Sequence, residues 1–187
     1  MEAIMDKLLQ LDLSVLIFIQ EYIRYDAANP LFIWLYRLGA GGALWIAISI
    51  ILLIPKRTRR TGALSLVSIL CAWFLSGYLL PGYVDRPRPY EALSYVTYIV
   101  EDTGTSSFPS ICACISFASA ALIFKNRPRR LGVPCMLLAV VVSFSALYVG
   151  VSYPSDVICG AVIGLLIGLI MYWLLGDSWK KKKKRRR

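Results

Sequence analysis

The sequence contains no histidine, so the side chain that most often serves as a general base near neutral pH is missing. Acid–base chemistry would have to use a carboxylate, a tyrosine or a thiol such as that of Cys112. The chain has only five cysteines, an odd number, and most of them lie inside apolar stretches. We therefore expect buried thiols rather than a disulfide framework, and we predict neither a metal site nor a cofactor.

Charge is nearly missing from the long apolar stretches of the chain. Of the 187 residues, 58% are hydrophobic and 17% are charged, and the mean hydropathy is +0.63. Soluble domains are about 45–50% apolar. The composition therefore indicates an integral membrane protein with one domain.

Five apolar segments are predicted to cross the bilayer as helices, at residues 31–54, 61–80, 109–124, 131–149 and 154–175. The amphipathic stretch 1–24 has an uncharged core too short to cross, so we expect a helix in the membrane interface; a sixth span there stays open. The predicted fold is an all-α, polytopic membrane bundle of five or six transmembrane helices with a polar loop at 81–108 on its outward face. It divides into an interfacial helix (1–29), the bundle (30–176) and a polybasic tail (177–187).

Basic residues gather at 56–60, 125–130 and 180–187, which are alternate ends of the predicted spans. The positive-inside rule puts all three groups, and with them the C-terminus, in the cytoplasm. The connection 81–108 and the turn 150–153 then face outward. No aromatic residue or glycine interrupts 180–187, so we predict that this tail contacts an anionic membrane surface rather than nucleic acid.

Three polar clusters fall at the outward ends of the predicted spans, at residues 85–90, 106–110 and 148–156. Arg88 offers a planar set of donors for phosphate, or it is an arginine that snorkels at the membrane edge. Ser110, at the start of a helix, either joins the unpaired amides in binding an anion or is an ordinary cap. Asp156 lies four residues after Ser152, where a carboxylate orients a nucleophile or simply favours the helix dipole.

The order of these clusters resembles that of the type 2 phosphatidic acid phosphatase family, integral-membrane lipid phosphate phosphatases related to vanadium haloperoxidases. The matching sequences are Arg-Pro-Arg-Pro-Tyr, Ser-Phe-Pro-Ser and Tyr-Val-Gly-Val-Ser-Tyr-Pro-Ser-Asp. The resemblance covers about residues 30–176. It implies a multi-pass protein of the cell membrane whose phosphate site faces away from the cytoplasm. The ligand it implies is a phosphorylated lipid, such as phosphatidate, a polyprenyl phosphate or undecaprenyl pyrophosphate.

The resemblance also implies roles for individual residues. It assigns phosphate binding to Arg88, Ser110 and Ser145, and it puts Cys112, Ser152 and Asp156 in the catalytic positions. Five positions depart from the family pattern: Pro81 replaces lysine, Ile111 glycine, Cys112 histidine, Ala146 arginine and Ser152 histidine. The family uses the histidine of its third motif as nucleophile and that of its second motif to protonate the leaving group. The chain thus keeps the orienting aspartate without the histidine that it would orient.

We therefore predict a catalytically inactive member of the family, a pseudoenzyme, with a cavity that binds a phosphorylated lipid or a protein partner. One alternative is an active lipid phosphate or polyprenyl pyrophosphate phosphatase with an altered mechanism, based on the Cys112 thiol or on Ser152. Another is an enzyme of this type whose catalytic groups were replaced by design. A transporter is disfavoured, because ionisable residues are nearly absent from the predicted spans.

Overall fold

The computed structural model describes residues 2–84, 86–92, 96–100 and 106–176. The regular structure in these residues is helical, and they contain no strand. Two features singled out in the sequence, Asp85 of the first polar cluster and the polybasic tail at 177–187, lie outside the described residues.

Eight α-helices follow one another in the described part of the chain: α1 (Glu2–Phe18), α2 (Asn29–Ala40), α3 (Ala43–Leu53), α4 (Arg59–Phe74), α5 (Pro89–Ala92), α6 (Ile111–Asn126), α7 (Arg129–Tyr148) and α8 (Pro154–Met171). The helices α1, α4 and α8 continue as five-residue π-helical turns, which are Ile19–Ile23, Leu75–Leu79 and Tyr172–Gly176. The short α5 is a single turn inside the loop that was predicted to be polar.

Within the described residues, three helices are long and apolar enough to cross a membrane: Arg59–Leu79, Arg129–Tyr148 and Pro154–Leu174. The helices α2 and α3 make a fourth crossing if this pair, bent by 64°, is one broken span. The remaining predicted span corresponds to α6, whose 16 residues are shorter than the roughly 20 that a perpendicular crossing needs. The predicted fold class, an all-α membrane helical bundle, is confirmed.

The bend between α2 and α3 is made by two glycines. Gly42 has a φ of 69°, in the left-handed region that glycine adopts without steric cost. The α2 helix therefore ends at Ala40, and its last turn, with Tyr36 buried, faces the start of α6 across a cavity.

The α6 helix is enclosed by its neighbours, and its closest packing is against α8. Three glycines spaced by four residues lie on the α8 face in this contact: Gly160, Gly164 and Gly168. A Cβ atom at Gly160 would lie 2.6 Å from the carbonyl oxygen of Ser110, so the backbones approach closely only because the side chain is absent. The Ser110 amide donates to the Asp156 carbonyl at 3.1 Å. This packing therefore brings the N-terminal ends of α6 and α8 together.

The α1 helix lies across the end of the bundle where α7 ends and α8 begins. Together with the π-helical turn that continues it, α1 buries Asp12, Leu16 and Ile19 and exposes an apolar stripe on its other side: Leu8, Leu11, Val15, Phe18 and Tyr22. Beyond its C-terminal end, the Arg24 guanidinium donates to the Tyr148 carbonyl at 2.6 and 3.1 Å. The placement of this helix in the membrane interface stays a prediction.

Candidate anion-binding site

A cavity of about 260 Å³ lies between the end of α2, the start of α6 and the turn before α8. Four of the residues that line it were candidates from the sequence: Arg88, Ser110, Cys112 and Ser152. Among the described lining residues Arg88 is the one cation, and none is a carboxylate. The polar clusters therefore converge as the membrane topology predicted.

Arg88 is held in the wall of this cavity. Its side chain is buried, and its Nη1 atom donates to the Val151 carbonyl at 3.3 Å. Its backbone amide donates to the Glu91 carboxylate at 3.1 Å, which anchors the start of α5. A guanidinium fixed in this way is suited to planar recognition of a phosphate group.

The start of α6 forms the floor of the cavity. The first amides of a helix have no acceptor within the helix, and together with the helix dipole they favour a bound anion. Ser110 is the N-cap residue, and Ile111 and Cys112 are the first residues of the helix. Ile111, at the position where the resemblance implies a glycine, is among the residues that line the cavity.

The thiol of Cys112 is buried, and its Sγ atom donates to the Val142 carbonyl at 3.4 Å. This hydrogen bond requires the proton. The nucleophilic form of cysteine is the thiolate, which lacks that proton. The observed contact therefore favours the unreactive form of the side chain.

Two predicted site residues do not line the cavity. The Ser145 hydroxyl donates to the Val142 carbonyl of its own helix at 2.6 Å. Asp156 is fully buried, and its carboxylate accepts hydrogen bonds from the Arg86 side chain and, at 2.5 Å, from the Ser107 hydroxyl. The carboxylate is thus directed to Arg86 and Ser107 rather than to Ser152.

Beside the cavity lies a polar group that we call the Arg86 cluster, formed by Asp12, Arg86, Ser107, Ser155 and Asp156. The Nη2 atom of Arg86 pairs with the Asp12 carboxylate at 2.8 Å. Its Nη1 atom pairs with Asp156 and donates to the Ser155 hydroxyl at 2.8 Å. The guanidinium lies 3.9 Å from the ring centroid of Tyr153, so it is also held by a cation–π contact.

The two carboxylates dominate the electrostatics of this cluster. Burial acts to lower the pKa of Arg86, but hydrogen bonds and charge from Asp12 and Asp156 outweigh it and raise the pKa above its ordinary value. The guanidinium of Arg86 is thus paired with two carboxylates, whereas Arg88 is the one cation among the described residues that line the cavity.

Sequence reasoning did not foresee this cluster. Asp12 belongs to the amphipathic stretch 1–24, for which the sequence predicts only a helix in the membrane interface, and Arg86 lies 74 residues away from it. Ser107 lies 49 residues from Asp156. The one available signal was the Arg-Pro-Arg-Pro repeat, which indicated that both of its arginines lie at the outward face.

No group of three or more metal-ligating side chains is placed to hold an ion in the described part of the chain. The absence of a cofactor stays a prediction.

Comparison with known proteins identifies the family. A sequence model of the PAP2 superfamily matches residues 61–180, which is more than half of the chain. The undecaprenyl-diphosphatase of Sulfolobus acidocaldarius is 32% identical over 150 residues, which are 80% of this chain and 71% of that protein.

Two solved structures share the fold. LpxE of Aquifex aeolicus aligns with a TM-score of 0.75 and 25% identity, covering 86% of this chain and 94% of that one. The PAP2-type phosphatidylglycerolphosphate phosphatase of Bacillus subtilis aligns with a TM-score of 0.70 and 23% identity, covering 100% of this chain and 90% of that one. The family resemblance seen in the three polar clusters is thereby confirmed. The chain belongs to the PAP2 superfamily of membrane lipid phosphatases.

Proposed function

We propose that this chain is a catalytically inactive PAP2 protein that retains a pocket for a phosphorylated lipid. The observation that carries this proposal is the make-up of the cavity wall. Arg88, Ser110 and the start of α6 line the cavity as a phosphate site requires. Cys112 and Ser152 line the same cavity at the positions where the resemblance implies the two catalytic histidines.

The missing histidines bear directly on the reaction. Removing the nucleophile of an enzyme costs several orders of magnitude in rate, and further losses in the same unit add less. The altered mechanisms find little support in the contacts. The Cys112 thiol donates to a carbonyl, and the Asp156 carboxylate is engaged by Arg86 and Ser107 instead of acting on Ser152.

The missing cations are a second reason to expect no catalysis. Pro81 and Ala146 stand where the family pattern has a lysine and an arginine. Positive groups around a transferring phosphoryl group stabilise the charge that it carries in the transition state. Arg88 alone supports binding of a ground-state phosphate but supplies only part of that stabilisation.

The ligand that we propose is a phosphatidate-like lipid or a polyprenyl phosphate. Two relatives carry names that refer to phosphorylated lipids, undecaprenyl diphosphate in one and phosphatidylglycerolphosphate in the other. The cavity lies at one end of a bundle whose outer surface is strongly apolar. A lipid would place its phosphate at Arg88 and keep its chains in the bilayer.

The proposal includes an orientation. Most of the described basic residues lie in the turns α3–α4 and α6–α7 or in the helix ends beside them. These two connections meet at the other end of the bundle, where Arg127 donates to the Thr61 hydroxyl at 2.9 Å. By the positive-inside rule that end is cytoplasmic. The pocket then faces away from the cytoplasm, and the tail 180–187 contacts anionic lipid on the inner side.

The binding half of the proposal is tested with labelled phosphatidate and undecaprenyl phosphate and the purified protein in detergent. We expect Arg88→Ala to weaken binding roughly tenfold to a hundredfold, since a charge-assisted hydrogen bond is lost. Arg130→Ala is the matched control, because Arg130 is exposed at the opposite end of the bundle. Equal binding by the two variants would contradict the assignment of the pocket.

The catalytic half is tested by restoring the family pattern. The substitutions are Pro81→Lys, Ile111→Gly, Cys112→His, Ala146→Arg and Ser152→His. We expect phosphate release from a lipid phosphate to appear only in the restored protein. Release by the unmodified protein that disappears in Cys112→Ala or Ser152→Ala would show an altered mechanism instead.

A further inference from the structure

We propose that Asp12 on α1 is a positioning residue for the pocket, acting through Arg86 on the segment 86–88 that carries Arg88. The proposal rests on the assignment of the pocket as a phosphate site. It extends that site to a helix that lies outside the family match at residues 61–180.

The surroundings of Asp12 differ from those of an ordinary surface carboxylate. Only 3% of the residue is exposed, although most of α1 around it is open. Its Oδ1 atom accepts the Ser155 amide at 2.9 Å, and its Oδ2 atom accepts the Ser155 hydroxyl at 2.5 Å and Arg86 Nη2 at 2.8 Å. Asp12 therefore joins α1 to the start of α8 and to the loop before α5.

Arg86 passes this constraint to the cavity wall. Its carbonyl accepts the Ser107 amide at 2.9 Å, and its amide donates to the Ser106 hydroxyl at 3.3 Å. Both serines line the cavity. Pro87, whose φ is fixed by its ring, is the one residue between Arg86 and Arg88. When Arg86 is held in place, the positions open to Arg88 and to Ser106 and Ser107 in the cavity wall are therefore restricted.

The α1 helix is itself held at two points, so Asp12 has a fixed support. Arg24, which follows the helix, donates to the carbonyls of Tyr148 and Thr97. The Tyr25 amide donates to the Tyr148 hydroxyl at 3.1 Å. The apolar stripe of α1 faces away from the bundle, where the lipid of a membrane protein lies. The contacts of Arg24 and Tyr25 beyond the C-terminal end of α1, and that of Asp12 with Arg86, hold the helix over the site.

The test uses three variants and amide hydrogen exchange of the full-length protein in detergent. Asp12→Asn removes the charge, Asp12→Glu retains it, and Glu21→Gln removes an exposed charge from the same helical run. The reporter amide is that of Ser107, whose acceptor is the Arg86 carbonyl; the reference amide is that of Ile99, whose acceptor is the Val149 carbonyl.

We expect about tenfold faster exchange at Ser107 in Asp12→Asn, because a charge-assisted hydrogen bond to Arg86 is lost. Exchange at Ile99 should not change. The Ser107 amide should exchange more slowly in Asp12→Glu than in Asp12→Asn, and its exchange rate in Glu21→Gln should equal that in the parent protein. Unchanged exchange at Ser107, or equal acceleration at Ser107 and Ile99, would overturn the proposal.

Binding of labelled phosphatidate to the same samples gives the second readout. We expect Asp12→Asn to bind about tenfold more weakly while Glu21→Gln binds as the parent does. Equal affinity of Asp12→Asn and the parent would also overturn the proposal. A parent protein that binds neither phosphatidate nor undecaprenyl phosphate would contradict the proposed function, whereas the exchange experiment would still decide whether Asp12 positions the wall.

Discussion

Arg86 and Arg88 belong to one Arg-Pro repeat and are two residues apart, yet the protein uses them differently. Arg86 lies between the carboxylates of Asp12 and Asp156. Arg88 lines the cavity, where none of the described lining residues is a carboxylate. Two arginines of one motif thus have different surroundings: Arg86 is paired with two carboxylates, whereas Arg88 contacts the Val151 carbonyl and lines the cavity that we propose as the phosphate site.

The largest effect is expected from Arg86→Met. The substitution leaves the Asp12 and Asp156 carboxylates buried without their cation, which costs about 3–5 kcal/mol of unfolding free energy. Chemical denaturation in detergent measures this loss, with Arg88→Met as the matched variant and a smaller expected loss. If the two variants lost equal stability, the distinction between the two arginines would be wrong.

A smaller effect is expected from Gly160→Ala. The new Cβ would lie 2.6 Å from the Ser110 carbonyl oxygen, so α6 and α8 must move apart at the point that joins the pocket to the Arg86 cluster. Overpacking of this kind costs about 1–3 kcal/mol of unfolding free energy. Gly77→Ala is the control, since its Cβ would lie 3.6 Å from the Ile111 side chain, an ordinary contact. If Gly160→Ala unfolded at the same temperature as the parent protein, the close packing of α6 against α8 would be contradicted.

The smallest of these effects is expected from Ser107→Ala. It removes one hydrogen bond to the buried Asp156 carboxylate and should cost about 1–2 kcal/mol of unfolding free energy. Ser152→Ala, which changes another serine of the cavity wall, should cost less, because Ser152 is outside the Arg86 cluster. A larger loss of unfolding free energy in Ser152→Ala than in Ser107→Ala would show that Asp156 depends on Ser152, as a nucleophile–base pair requires.

Much of this architecture could be predicted from the sequence. Apolar segments of spanning length can only be helices in a bilayer, so the ends of alternate segments must meet on one side. That rule brings together the clusters that contain Arg88, Ser110 and Ser152, the family resemblance adds Cys112, and all four residues line one cavity. The α6–α8 contact also had a signal, since glycines at 160, 164 and 168 are the small-residue spacing of close helix pairs.

The Arg86 cluster could not be predicted, for a physical reason. Its ion pairs join residues 74 and 70 positions apart, and the pair with Asp12 forms only because α1 docks over the start of α8. Docking depends on the shape of surfaces, which no periodicity in the sequence records. The Asp156 carboxylate is directed by Arg86 and Ser107, which lie in the connection between α4 and α6, and the path of that connection has no periodic signal either.

Lipid binding and phosphate release, measured on one purified sample with undecaprenyl diphosphate, test most directly whether the pocket holds a phosphorylated lipid without cleaving it. We predict binding that depends on Arg88 and phosphate release no greater than that of a protein-free blank. Sustained release by the unmodified protein, abolished by Cys112→Ala or Ser152→Ala, would contradict the account.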